Sequence, residues 1–137
     1  MTYKKLLIAG LLSGIFAFFL GFLLWGVLLM GFSEAHTTEY PGLEKEKMSM
    51  LLILLSCIVW GFFISWVYLN FPGRKSSTGG ALTGLITGML VASSMNLSML
   101  SMWNLFTPIY LVVDVLVNGI YSAATGAVAG FILRTRK

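Results

Sequence analysis

Four long apolar runs, from about Leu6 to Met30, Met50 to Leu69, Gly80 to Leu100 and Ile109 to Leu133, leave this chain few folds to adopt. Each reaches the ~20 residues that a helix needs to cross a bilayer core, and only the fourth holds a charge, Asp114. Inside hydrocarbon every backbone N–H and C=O must be paired within the structure, so each run is expected to be a helix. The expected fold is all-α: a polytopic membrane protein, a four-transmembrane-helix bundle made of two antiparallel hairpins. It forms a single integral membrane domain over 1–137 with an outer loop at 31–48. Composition agrees, because 58% hydrophobic and 10% charged residues, with a mean hydropathy of +0.90, leave too little polar surface for a domain in water.

The formal charge of +4 does not point to nucleic acid. Lys4 and Lys5 precede run one, Arg74 and Lys75 follow run two, and Arg134, Arg136 and Lys137 follow run four. Clusters at the ends of apolar segments mark the cytoplasmic side, so both termini are expected there. The connection from Gly31 to Lys47 is net acidic and Ser101 to Thr107 is uncharged, which places both outside. Run one is longer than the ~7–15 apolar residues of a signal peptide, and is read as a retained span despite the small residues of Ser33-Glu34-Ala35. Pro72-Gly73 suits a turn, Ser77 or Thr78 an N-cap, and Pro108 the first turn of a helix. Trp25, Tyr40, Trp103, Phe106 and Tyr110 fall near the outer interface, where amphipathic rings gather. A multi-pass protein of the cell membrane, bacterial and inner by its compactness and charge placement, is the expected localisation.

Spacing within the last two runs is more specific. Gly80, Gly84, Gly88, Ala92 and Asn96 recur at steps of four, as do Asp114, Asn118, Ser122, Gly126 and Gly130. Read antiparallel, one register pairs Gly80 with Gly130, Gly84 with Gly126, Gly88 with Ser122, Ala92 with Asn118 and Asn96 with Asp114. Membrane helices associate by close backbone approach and interhelical hydrogen bonds, which such ridges supply. The first hairpin carries a weaker version, with Gly10 and Gly14 on one side and Cys57, Gly61 and Ser65 on the other, and Phe18 expected opposite Gly61. Gly10-Leu-Leu-Ser-Gly14-Ile also resembles Gly80-Ala-Leu-Thr-Gly84-Leu, as a parallel duplication of hairpins would leave it.

Chemistry is sparse. An ionisable residue inside the membrane costs ~2.5–3.5 kcal/mol and faces protein or water, which singles out Asp114. Asn118 continues its face one turn deeper, and Asn96, Trp25 and Ser56 fall at similar depth on the other runs. Two readings follow. These groups hold the hairpin together, or they form a vestibule for a proton, cation or polar solute with Tyr121 and Thr125 extending inward. His36 with Glu34 and Glu39 is too small a set for zinc, which takes three or four well-placed ligands. Met89, Met95, Met99 and Met102 suit packing better than copper. The single Cys57 forms no internal disulfide. No nucleophile–base pair or phosphate-cradling loop is present, so no enzyme, cofactor or metal is expected.

Run one lacks the membrane-embedded glutamate of small multidrug transporters, and Gly79-Gly80-Ala-Leu-Thr-Gly84 shares only glycines with the opening of fluoride channels. The expected function is that of a small non-catalytic, structural or accessory membrane protein packed through small-residue ridges. The alternative is a small transporter or channel built on the Asp114 vestibule. The expected partners are membrane lipids and either further copies of the chain or a larger membrane protein, with no nucleic acid.

Overall fold

A computed structural model describes residues 3–71 and 75–134, and these are all-helical. Helix α1 (Tyr3–Leu23) runs on through a π-helical turn, Leu24–Leu28, and is followed by α2 (Met30–His36), α3 (Met50–Asn70), α4 (Ser77–Met102) and α5 (Pro108–Leu133). Four segments, Tyr3–Leu28, Met50–Asn70, Ser77–Met102 and Pro108–Leu133, are long and apolar enough to cross a membrane. Pro72-Gly73, Arg74, Arg136 and Lys137, to which the sequence assigns a turn and positive charge, lie outside the described residues.

Local chemistry explains where the helices begin. The side chains of Ser49, Ser76 and Thr107 accept hydrogen bonds from the backbone N–H of Leu52, Gly79 and Tyr110, and Pro108 opens α5, where its missing N–H costs nothing. The cap of α4 is therefore Ser76, not Ser77 or Thr78. Ser77 Oγ instead donates across to the Ala127 carbonyl of α5 at 2.9 Å. At its C-terminus α3 is closed by Lys75, whose ammonium donates to the carbonyls of Tyr68 and Phe71 and lies 4.8 Å over the Tyr68 ring.

The interior is made of small residues and the outside of large apolar ones. Ala9, Gly10, Ser13, Gly14 and Ala17 are buried on α1, and Gly80, Thr83, Gly84, Gly88 and Ala92 on α4. Phe19, Leu90 and Ile120 point outward. Such an arrangement suits a hydrocarbon solvent, in which large side chains gain nothing by hiding and helices gain by approaching closely.

Helices α4 and α5 make the most extensive contact. A Cβ built on Gly80 would collide with the Gly126 carbonyl and fall 2.9 Å from Gly130 Cα. One on Gly84 would collide with the Ser122 carbonyl, and one on Gly88 with the Ser122 side chain and, at 2.8 Å, with the Asn118 carbonyl. The ridges of the two helices thus interlock backbone against backbone.

The first hairpin differs from expectation. Gly61 of α3 faces Gly10 and Gly14, so close that a Cβ there would sit 2.5 Å from Gly14 N, whereas Phe18 packs edge-on against Phe19 at 5.4 Å. Glycine on glycine permits an approach that a phenyl ring would prevent, and this moves the contact about two turns from the Phe18–Gly61 pairing. Ser13 donates to the Ala9 carbonyl and sits 3.4 Å from that of Gly61.

The segment after the first long helix differs as well. Residues 31–36, expected to begin a loop, belong to α2, because the breakers Thr37-Thr38 and Pro41-Gly42 come only after it. His36 is half-buried rather than solvated, stacked on Phe32 at 4.2 Å. The α2–α3 and α4–α5 connections pair with each other: Thr38 N–H donates to the Leu105 carbonyl at 2.8 Å, and Thr107 N–H to that of His36 at 3.1 Å. Phe106 stacks on Tyr110 at 4.6 Å beneath them.

Helix α1 packs on α3 and α5, and α3 also touches α5, but α3 and α4 meet only lightly. The gap between α3 and α4 positions the site described next.

Candidate functional site

Asp114 sits six residues into α5, roughly 9 Å along the axis from its start at 1.5 Å per residue. Three helices converge on it. Asn96 Nδ2 of α4 donates to Oδ2 at 2.9 Å and Asn118 Nδ2, one turn along α5, donates to the same oxygen at 3.0 Å. Trp25 Nε1, from the π-helical turn that ends the first long helix, donates to Oδ1 at 3.2 Å. That wider turn is closed by the Leu29 N–H on the Leu24 carbonyl at 2.8 Å, and interruptions of this kind recur where a helix presents a functional side chain.

All three partners are N–H donors, so both oxygens serve as acceptors, the role of the ionised carboxylate. The two amides also tie down backbone: Asn96 reaches the Leu111 carbonyl at 3.3 Å, and Asn118 that of Asp114 at 2.9 Å. No basic residue lies within the four long helices apart from Lys4 and Lys5, in the first turn of α1. The negative charge at Asp114 is thus solvated by dipoles and not by a cation within its own helices.

Asp114 lines a groove of about 690 Å³ between α3 and α4. Asp114, Asn118 and Tyr121 form its floor from α5, Ser56, Cys57, Trp60 and Phe63 one wall, and Val91, Met95, Asn96 and Met99 the other. Tyr121 is held from two sides, its hydroxyl 3.7 Å from Cys57 Sγ and its ring edge-on to Trp25 at 5.2 Å. The indole N–H of Trp60 is buried without a partner among the described residues.

Of the residues singled out by sequence, Asp114, Asn96, Asn118 and Trp25 form one hydrogen-bonded cluster. Ser56 lines the groove, exposed and without a bond to Asp114. Tyr121 adjoins the cluster through Trp25, but Thr125 is fully buried and spent on the Tyr121 carbonyl, so it does not extend a path inward. Gly88 and Ala92 reach the groove from the packing ridge, while Gly80, Gly84, Ser122, Gly126 and Gly130 serve the α4–α5 contact. Met95 and Met99 are in the wall, whereas Met89 packs on Gly119 and Met102 faces outward. Sequence reasoning missed Trp60 and Phe63, for which only their aromatic character within run two was a signal. Among the described residues no three His, Cys, Asp or Glu side chains gather as metal ligands would. Comparison of the chain with protein families, curated proteins and solved structures finds no match in any of the three.

Proposed function

We propose that this chain is a small, non-catalytic, multi-pass membrane protein, a bundle of two antiparallel hairpins with both termini cytoplasmic, that acts as a structural or accessory component. The observation that carries this reading is the hydrogen bonding of Asp114 by three side chains. A carboxylate whose two oxygens accept from Trp25, Asn96 and Asn118 locks α1, α4 and α5 together, and leaves no free catalytic partner beside it. Charge placement supports the orientation, since Lys4, Lys5, Lys75 and Arg134 belong to the helix ends opposite the acidic 37–49 segment. A bacterial inner membrane is the setting this placement fits.

The groove favours a second reading, a small transporter or channel for a proton, cation or polar solute, because the one acid of the long helices lies in its floor. Reconstitution in liposomes separates the two. A packing role predicts a lower melting temperature for Asp114→Asn and no solute or proton flux in the parent protein. Asp114-dependent flux above that of empty liposomes would decide for transport.

A further inference from the structure

We propose that the groove between α3 and α4 is a binding site for an organic monocation with an apolar or aromatic body, entering sideways from the membrane. The inference deepens the second reading above, in that the groove takes a solute, but it requires no transport.

Three independent features lead there. The first is charge. Asp114 is surrounded by neutral donors, so its negative charge is oriented and solvated but not cancelled within the helices. A half-buried carboxylate set among apolar helices attracts a cation more strongly than one in water, since its field is less screened. The second is the wall. Trp60 and Phe63, their ring centroids 5.4 Å apart and tilted by 41°, stand beside Val59, Met95 and Met99. Aromatic faces attract cations, and thioethers adapt to irregular apolar shapes. The third is shape. At about 690 Å³ the groove falls within the range of small-molecule sites, and it is apolar in its walls with a few convergent polar groups at one end.

These features also select among occupants. A hydrated metal ion would find one carboxylate and amide groups but no second acid, since Asp114 is the only Asp or Glu in the long helices. An anionic or zwitterionic lipid headgroup would bring its phosphate against Asp114. A neutral acyl chain would fit the walls and leave the carboxylate unanswered. An amphiphilic cation matches both the floor and the walls.

The test is binding of tetraphenylphosphonium to the full chain in phosphatidylcholine nanodiscs, measured by equilibrium dialysis against empty discs. Saturable binding at one cation per chain is expected, with at least a tenfold loss of affinity in Asp114→Asn. Ser56→Phe, which fills the exposed mouth without touching the Asp114 hydrogen bonds, should weaken binding similarly while its melting temperature stays at that of the parent. Should Asp114→Asn fail to fold, Ser56→Phe carries the decision. Binding no greater than to empty discs, or equal affinity in a folded Asp114→Asn or Ser56→Phe variant, overturns the proposal. The melting temperature of Asp114→Asn reports separately on the packing role, so that either reading can fail alone.

Discussion

Asp114 is where one side chain has the widest reach. It accepts from residues 89 and 18 positions earlier in the chain, and so closes a loop that spans most of the sequence. Asp114→Ala strands the Trp25 indole and frees both amides, which predicts a destabilisation of about 1–3 kcal/mol from unmade bonds to half-buried polar groups. Trp25→Phe keeps a ring beside Tyr121 and removes a single donor, so its cost is nearer the ~0.6 kcal/mol average of interhelical hydrogen bonds in membranes. Thermal unfolding in detergent, followed by size-exclusion retention, should rank the two in that order. Equal melting temperatures for Asp114→Ala and the parent protein would mean that the cluster does not stabilise the fold.

Between helices the decisive quantity is the distance of backbone from backbone. Gly84 lies against the Ser122 carbonyl and Gly61 against Gly14, so neither has room for a side chain without moving a helix. Gly84→Val and Gly61→Val are therefore expected to cost about 1–3 kcal/mol each, the usual penalty of overpacking. Gly31 has nothing within 4 Å, and Gly31→Ala serves as the control that leaves the melting temperature unchanged. The α4–α5 register has its own test. Cysteines introduced by Asn96→Cys and Asp114→Cys in a Cys57→Ser background should be joined by a short bifunctional thiol reagent, because the native side chains meet at 2.9 Å. Leu97→Cys with Asp114→Cys should not, because Leu97 faces outward at 67% exposure. The two hairpins also repeat one device. Ser13 and Thr83 occupy equivalent places in the Gly10 and Gly80 segments, and both donate back to the carbonyl four residues earlier, at 2.5 and 2.9 Å. A hydroxyl next to a glycine contact is satisfied by its own helix and leaves the facing backbone free to approach.

Taken together, the bundle is asymmetric. Helix α5 touches α1, α3 and α4, while α3 and α4 leave the groove between them, and the α2–α3 and α4–α5 connections are joined by the Thr38–Leu105 and Thr107–His36 bonds. Orientation in the membrane belongs to this level too, because it depends on the sum of charges at each end. With Cys57 replaced by serine, Glu46→Cys in intact cells should react with a membrane-impermeant maleimide, and Lys5→Cys only after the cells are opened. The reverse pattern would turn the proposed topology over.

Much of the architecture was legible beforehand, and the reason is that it rests on local periodicity. Helix existence follows from apolar length, because an unpaired backbone cannot be left in hydrocarbon, and the α4–α5 contact follows from small residues every fourth position, because these define one face of one helix. Asn96 beside Asp114 is a consequence of that same register. What local pattern could not decide were the features made by elements distant in sequence. Gly61 chose Gly10 and Gly14 over Phe18 because only the packed pair reveals how near two backbones can come. Trp25 reached Asp114 from a π-helical turn that no spacing rule announces, and α2 took residues that polarity had assigned to a loop. The groove itself exists because α3 and α4 both pack on α5 and meet each other only lightly, a matter of three-body geometry that no single run of residues contains.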